Sequence, residues 1–210
     1  SLEKNRLQIV AHSAYYLQFQ SPYLSARQSA IDEMKKVIDV ANSLGAKYCN
    51  LHFNQPLSIF SYKDVVKYYV ESLKNLVGYA SSKNVNLILE NTPTKGKEQF
   101  EAISSVLNQI SEVGLHLDIG HAFIEGGHKM ISDYISFKER IWHIHISENN
   151  GNEDQHLALS DGEKGMNWPS IFKMLIESGY KATITLEVFR SGNEGLQKSL
   201  GLVKKYVQTI

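Results

Sequence analysis

The sequence predicts an α/β fold in which parallel strands alternate with helices as repeated βα units. Short β-branched runs recur along the chain, and each is followed by a longer segment with apolar residues at helical spacing. Polar side chains able to bind a metal lie at the carboxyl end of every strand-like run, whereas no glycine-rich phosphate loop follows an early run. Because the strand ends of a (βα) barrel converge on one face, these observations favour a barrel over an open doubly wound sheet.

Six strand-like runs are predicted, each short and rich in β-branched residues. They cover residues 7–12, 46–52, 85–90, 113–118, 141–147 and 182–188. The segments between them carry helical apolar patterns, most clearly 31–41 and 65–77. Gly45, Gly114 and Gly179 are predicted to lie just before strands, where a glycine commonly ends the preceding helix.

Length and charge limit the classes of function that remain. The 210 residues, of 23.7 kDa, are expected to form a single (βα)-barrel domain covering 1–210. Lys plus Arg and Asp plus Glu each number 22, so the zero net charge argues against a polybasic nucleic-acid surface. No apolar run reaches the ~20 residues that span a bilayer, so no membrane partner is expected. The single cysteine, Cys49, excludes an internal disulfide and suits a cytoplasmic location.

Each predicted strand ends in an imidazole or a carboxylate. In chain order these residues are His12, His52, Glu90, Asp118 with His121, His145 and Glu187, and the loop after His145 adds Asp154 and His156. Imidazole and carboxylate donors together suit zinc, manganese, iron or cobalt, whereas magnesium and calcium prefer oxygen alone. The sequence therefore predicts a metal site at the strand ends.

Each of these residues also has an ordinary structural explanation. A single strand histidine is more often a hydrogen-bonded core residue, Asp118 is placed to cap a helix, and a solvated loop could contain Asp154. Glu90 and Glu187 are more telling, because a carboxylate that ends an apolar strand is costly to bury without a cation. Alternation places His116 and His143 deeper in the barrel interior than the strand-end residues.

At these residues the sequence resembles the xylose-isomerase-like TIM barrels. This superfamily includes sugar phosphate isomerases and epimerases and the endonuclease IV enzymes of AP endonuclease family 2. The segments that carry the resemblance are AHSAYY (11–16), NLHFN (50–54), LILENT (87–92), LDIGHAF (117–123), HIHISENNG (143–151), DQHLALSDGEKG (154–165) and ITLEV (184–188). Only six of the eight βα units that the resemblance implies are present, and the missing two would precede residue 7. Either the barrel is incomplete in this chain, or its N-terminal part is absent from this sequence.

The resemblance implies two different ligand sets. In the endonuclease IV branch a trinuclear zinc cluster is held by nine residues, which fall here on His12, His52, Glu90, Asp118, His121, His145, Asp154, His156 and Glu187. In the epimerase branch one metal is held by the subset Glu90, Asp118, His145 and Glu187. There the two glutamates also move protons on opposite faces of the substrate.

Some positions depart from the endonuclease pattern. Gln155 stands where those enzymes have a basic residue, and Phe53 and Asn54 follow His52 where they usually have Pro and Gly. Tyr15 matches a tyrosine that the endonucleases use at DNA, although an aromatic side chain there could equally line a sugar pocket.

Three hypotheses follow, of which the first is a metal-dependent isomerase or epimerase of a sugar or sugar phosphate. One divalent ion, zinc or manganese, would stabilise an enediolate while Glu90 and Glu187 act as base and acid. Across the hypotheses, one to three ions are expected per chain. The residues expected to contact the substrate are Tyr15, His12, His52 and His121.

The second hypothesis is hydrolysis of abasic DNA by a multinuclear zinc cluster. Four lysines on predicted loops near the site would contact phosphates, namely Lys95, Lys97, Lys129 and Lys164. The third is a metal-binding barrel without catalysis, or one completed by a partner subunit, for which a homo-oligomer is possible.

Overall fold

The computed structural model describes residues 7–56, 59–160 and 165–207, and strands and helices alternate throughout them. The elements are β1 (Val10–His12), α1 (Leu24–Ser43), β2 (Tyr48–His52), α2 (Tyr62–Ser82), β3 (Asn86–Glu90), α3 (Glu98–Gln109), β4 (Val113–Asp118), α4 (Ile119–Ile135), β5 (Ile141–Ile146), α5 (Trp168–Glu177), β6 (Thr183–Leu186) and α6 (Gly192–Val207), with one 3₁₀ turn at Lys138–Arg140. All six predicted strands are present. Among the helices of these described ranges, none is long and apolar enough to cross a membrane.

The strands follow one another in the sheet in chain order, from β1 to β6. The pairs β1/β2, β2/β3 and β5/β6 are parallel, as the βα repeat predicts. The register places His12 opposite Asn50 and His52 opposite Glu90, at the carboxyl ends of the first three strands. Glu187 lies one residue beyond β6, and its amide still donates to the carbonyl of Ile146, 3.0 Å away.

The chain divides into two compact units. The first comprises Ser1–Glu90 and Glu98–Leu115, and the second comprises Asn91–Lys97 and His116–Ile210. The expectation that residues 1–210 form a single domain stays a prediction.

In the first unit the core is formed largely by α2. Tyr69, Leu73 and Leu76 are fully buried and lie at helical spacing on one face of this helix. Burial of such a side chain contributes roughly 1.5–3 kcal/mol. Ser61 caps the helix in a capping box with Asp64, so α2 begins at Tyr62. The helix therefore packs its apolar face into the core of this unit.

In the second unit the core surrounds α4 and α5. Trp168 and Tyr134 are its largest fully buried side chains, and Ile131, Ile144 and Ile171 are also fully buried. α5 begins at Trp168, capped by the Asn167 side chain, which accepts from the amide of Ser170.

Two of the three predicted helix-ending glycines have the expected backbone. Gly45 and Gly179 adopt φ of +70° and +81°, the left-handed conformation that glycine accepts without strain. The prediction for Gly114 is wrong, because β4 already begins at Val113 and Gly114 is a strand residue.

Candidate metal centre

In the first unit, Glu90 is the centre of a polar cluster. It ends β3 and is 1% exposed, and its Oε2 accepts a short hydrogen bond from the Asn50 side chain. The Nε2 atoms of His52 and His12 lie 3.4 and 3.6 Å from the same oxygen. The strand register contributes to this cluster, since it sets His52 directly opposite Glu90 and His12 opposite Asn50, two residues before His52.

The first cluster has three donors suited to an ion. One donor atom each from His12, His52 and Glu90 lies within 4.8 Å of the others. The His12 Nδ1 is 3.1 Å from the carbonyl of Ser13, which orients the ring. Tyr15 is 58% exposed, and its ring contacts His52 edge-on with centroids 5.1 Å apart, so the predicted substrate-contacting tyrosine lies beside the cluster.

In the second unit, the first turn of α4 carries Asp118 and His121. Asp118 Oδ1 caps the helix by accepting from the His121 amide at 2.7 Å. The Asn91 side chain accepts from the Asp118 amide at 2.8 Å and donates to the Asp118 carbonyl at 3.0 Å. The helix cap expected from the sequence is present, and the carboxylate's second oxygen faces His145 at 3.9 Å.

Asp154 lies between two imidazoles. Its Oδ2 is 3.2 Å from His121 Nε2 and 2.9 Å from His156 Nε2, and each residue of this set has a donor atom within 4.8 Å of the others. Burial acts to raise the pKa of the Asp154 carboxyl, but hydrogen bonds from both histidines outweigh it and hold that pKa well below its usual range. The hydrogen bond to Asp154 raises the pKa of His156.

His145 and Glu187 meet at the ends of β5 and β6. His145 Nδ1 lies 3.1 Å from Glu187 Oε2. Together with Asp118, this pair forms an imidazole–dicarboxylate group within the second unit. Glu90 belongs to the first unit, and its membership of the same ligand set stays a prediction.

Two features of the second unit fit a bound transition-metal ion. The Nδ1 atoms of His121 and His156 are 2.8 and 3.2 Å from the backbone carbonyls of Asn91 and Glu187. With an ion bound in place of the Nε2 hydrogen bonds to Asp154, each Nδ1 would donate to its carbonyl and the neutral ring would present the Nε2 lone pair to the ion, as metal-binding histidines do. In addition, Asp154 Oδ1 is buried and has no hydrogen-bond partner among the residues that the structure describes. A cation would satisfy this oxygen.

His116 and His143 are buried, as alternation along the strands predicts. The two nitrogens of His143 lie 2.7 and 3.1 Å from the hydroxyls of Thr183 and Thr185. The His116 ring packs edge-on against His145, with centroids 4.1 Å apart. The His143 ring also contacts His145 edge-on, with centroids 5.2 Å apart. Donor atoms of the three histidines lie within 4.8 Å of one another, but we interpret His116 and His143 as residues that pack against His145.

Several polar residues of the site were not predicted from the sequence. Asn50 and Asn91 each adjoin a predicted ligand, and both are 0% exposed. Their positions in the sequence could have identified them: asparagine is rare in strands and rarely buried, so an asparagine at the end of a predicted buried strand indicates a specific polar contact. Glu148 and Asn149 are likewise buried directly after β5.

The lysines considered for phosphate contact are only partly where the sequence predicted. Lys95 and Lys97 lie in the connection between β3 and α3, and Lys95 donates to the Gly151 carbonyl. The prediction for Lys129 is wrong, because the helical segment continues to Ile135 and Lys129 pairs with Asp133 one turn later. Lys164 lies outside the described residues.

Parallel βα units with histidine and carboxylate clusters at the strand ends define a protein of the (βα)-barrel class. The chain belongs to the xylose isomerase-like TIM barrel family, which matches residues 1–206. The predicted fold and the predicted family are thereby confirmed.

Two curated relatives show that the match covers part of longer chains. An uncharacterised protein of Methanocaldococcus jannaschii is 28% identical over 142 residues, which are 67% of this chain and 55% of the relative. A probable endonuclease 4 of Thermotoga petrophila is 26% identical over 121 residues, 55% of this chain and 41% of that protein. The matched regions thus span about half the length of these relatives.

Solved structures share the fold at lower identity. A D-tagatose 3-epimerase-like protein superimposes with a TM-score of 0.82 at 22% identity, covering 99% of this chain and 80% of its own. The IOLI protein with a bound zinc atom gives a TM-score of 0.71 at 20% identity, covering 95% and 74%. At these identities the likeness establishes the fold alone.

Proposed function

We propose that this chain is a divalent-metal-dependent isomerase or epimerase of a sugar or sugar phosphate. The observation that carries the proposal is the meeting of His145 and Glu187 at 3.1 Å, with an Asp118 carboxylate oxygen 3.9 Å from the same imidazole. One imidazole and two carboxylates, with a third carboxylate from Glu90, are a donor set suited to zinc or manganese. The naming of similar folds as sugar epimerases supports the substrate class.

The bound ion would polarise a carbonyl and the neighbouring hydroxyl of the substrate, so that a carbon-bound proton becomes easier to remove. Glu187 would exchange that proton at Oε2, the oxygen that His145 orients. Glu90 would exchange a proton on the opposite face, with its Oε2 oriented by the Asn50 amide. In this mechanism the chain supplies two oriented carboxylates that take and return protons.

The substrate would be held by the residues beside these carboxylates. His12, His52 and Tyr15 lie together in the first unit, and their imidazoles and ring offer hydrogen bonds and an apolar face to a sugar. His121 would contact a hydroxyl through Nε2, in competition with Asp154. A cytoplasmic location and a homo-oligomeric state remain predictions.

A second candidate is a phosphodiesterase acting on abasic DNA with several zinc ions. Two observations favour it: His12, His52 and Glu90 form one three-donor set and His121, Asp154 and His156 form another. Curated relatives at 23–27% identity are named probable endonuclease 4. The zero net charge and Gln155 favour the isomerase instead, because phosphate contacts supply much of the affinity for DNA.

The test combines ion counting with two assays. Elemental analysis of purified protein is expected to show one ion per chain, and Asp118→Asn should lose it while His156→Ala keeps it. Chelator-sensitive turnover of a ketose or ketose phosphate is expected, with an uncleaved abasic duplex. Three ions per chain with nicking of the duplex would replace this proposal with the nuclease. Bound metal without either activity would indicate a non-catalytic metal-binding barrel.

A further inference from the structure

Two adjacent polar side chains directly after β5 are fully buried. Glu148 and Asn149 are each 0% exposed and follow His145 by three and four residues. Burying a carboxylate and an amide is unfavourable unless their hydrogen bonds are made. Their contacts therefore show what the two side chains do in the fold.

Glu148 closes the loop that carries Asp154 and His156. Its Oε2 accepts from the Ser160 amide at 2.7 Å, from the Ser160 hydroxyl at 2.9 Å and from the Trp168 indole at 2.9 Å. Its backbone exchanges two hydrogen bonds of 2.9 Å with Leu157, the residue after His156. The two predicted ligands thus lie in a loop whose far end is attached to Glu148 by both backbone and side chain.

Asn149 connects the start of the same loop to the first turn of α4. Its Nδ2 donates to the Gly120 carbonyl at 2.8 Å, and its Oδ1 accepts from the Gly151 amide at 2.9 Å. Gly120 lies between Asp118 and His121, so this hydrogen bond connects the helix turn that carries these two residues to the segment after β5. The approach is close: a Cβ on Gly120 would lie 2.9 Å from Ser147 Oγ and 3.1 Å from Asn149 Nδ2.

We propose that Glu148 and Asn149 are positioning residues for this metal site. Asn149 holds the first turn of α4, which carries the ligand Asp118, and Glu148 holds the loop whose Asp154 pairs with His121 of that same turn. This inference rests on the proposed function. Apart from the isolated bridge between Glu148 and Leu157, neither helix nor strand orders residues 147–156, so side-chain hydrogen bonds supplement that bridge. Charge-assisted bonds such as those of Glu148 are the stronger kind, and groups behind metal ligands commonly change metal affinity 10–100-fold.

The test compares Glu148→Gln with Glu153→Gln, an exposed carboxylate of the same loop. A glutamine at 148 would place its amide nitrogen where Glu148 Oε1 has no hydrogen-bond partner within the described part of the chain. We expect amide hydrogen exchange across 149–157 of the metal-free protein to become at least about 10-fold faster. Zinc affinity, measured by competition with a chelating dye, should fall about 10–100-fold. Glu153→Gln should stay within about twofold of wild type in both.

Exchange in Glu148→Gln at the wild-type rate would overturn the proposal, as would faster exchange with unchanged zinc affinity. Asn149→Ala, which removes only the contacts to Gly120 and Gly151, supplies the same two readouts if Glu148→Gln does not fold. A wild-type protein that binds neither zinc nor manganese would refute the proposed function, and the exchange comparison would still decide whether the loop depends on Glu148.

Discussion

The two units build their ligand clusters in different ways. In the first, His12, His52 and Glu90 end neighbouring strands, and the register sets His52 directly opposite Glu90. In the second, His121 lies on a helix turn, and Asp154 and His156 lie in a loop. Backbone hydrogen bonds position the first cluster, whereas the side chains of Asn91, Glu148 and Asn149 largely position the second.

The difference in construction is also a difference in exposure. In the first cluster the side chains of Glu90 and His52 are 1% and 7% exposed, but that of His12 is 45% exposed. In the second, His121 is 8% exposed, and the loop residues Asp154 and His156 are 26% and 19% exposed. Segments with few buried contacts open locally at lower free energy than core strands. Glu90 and His52 are therefore the more rigid part of the first cluster, whereas we expect substitutions in the loop that carries Asp154 and His156 to alter its geometry without unfolding the protein.

The largest effect is expected on substituting the two carboxylates proposed to exchange protons, Glu90 of the first cluster and Glu187, which contacts His145 in the second unit. Glu187→Gln and Glu90→Gln should each lower kcat/KM for the best sugar substrate about 10²–10⁴-fold, because an amide cannot exchange the proton. Circular dichroism should show both variants folded. Glu194→Gln, exposed in the first turn of α6, is the matched control and should retain full activity. If Glu90→Gln retained activity while Glu187→Gln lost it, the first cluster would take no part in proton transfer.

A smaller effect tests the rigidity of β2, the strand that carries His52 of the first cluster. Burial raises the pKa of the Cys49 thiol on β2 to about 12. We expect a disulfide reagent to label native Cys49 at pH 8 at least about 100-fold more slowly than the protein unfolded in guanidinium, because the thiolate is the reactive form. Stability linked to this thiol is full below the unfolded pKa and is lost as the pH rises toward 12. Rapid native labelling would mean that β2 opens readily.

The smallest effect compares a glycine from each unit. Gly120→Ala should destabilise the protein by about 1–3 kcal/mol, since its Cβ would press on Ser147 and Asn149. Gly78→Ala, inside α2 with nothing within 4 Å of the added carbon, should stabilise by about 0.4–1 kcal/mol. Thermal or urea unfolding measures both changes. Equal effects would show that the α4 turn adapts to the added carbon.

The sequence predicted the residues at the strand ends correctly but misplaced or missed residues whose surroundings depend on distant parts of the chain. Glu90 and Asp118 follow from strand periodicity, since each ends an apolar run, and both lie at the predicted strand ends. Lys129 was misplaced because its segment was expected to be a loop, whereas α4 begins at Ile119 and its helical conformation resumes after a kink at Gly126 and Gly127. Asn91 and Glu148 were missed because their partners lie 27 and 12–20 residues away in the chain.

By itself, the sequence determined the βα repeat and the residue types at the strand ends, because both depend on local periodicity. Only the tertiary structure decided which of those residues meet: His52 with Glu90, Asp154 with His121, and His145 with Glu187. The physical reason is that strand register and loop closure depend on hydrogen bonds between distant segments, and no local pattern records them.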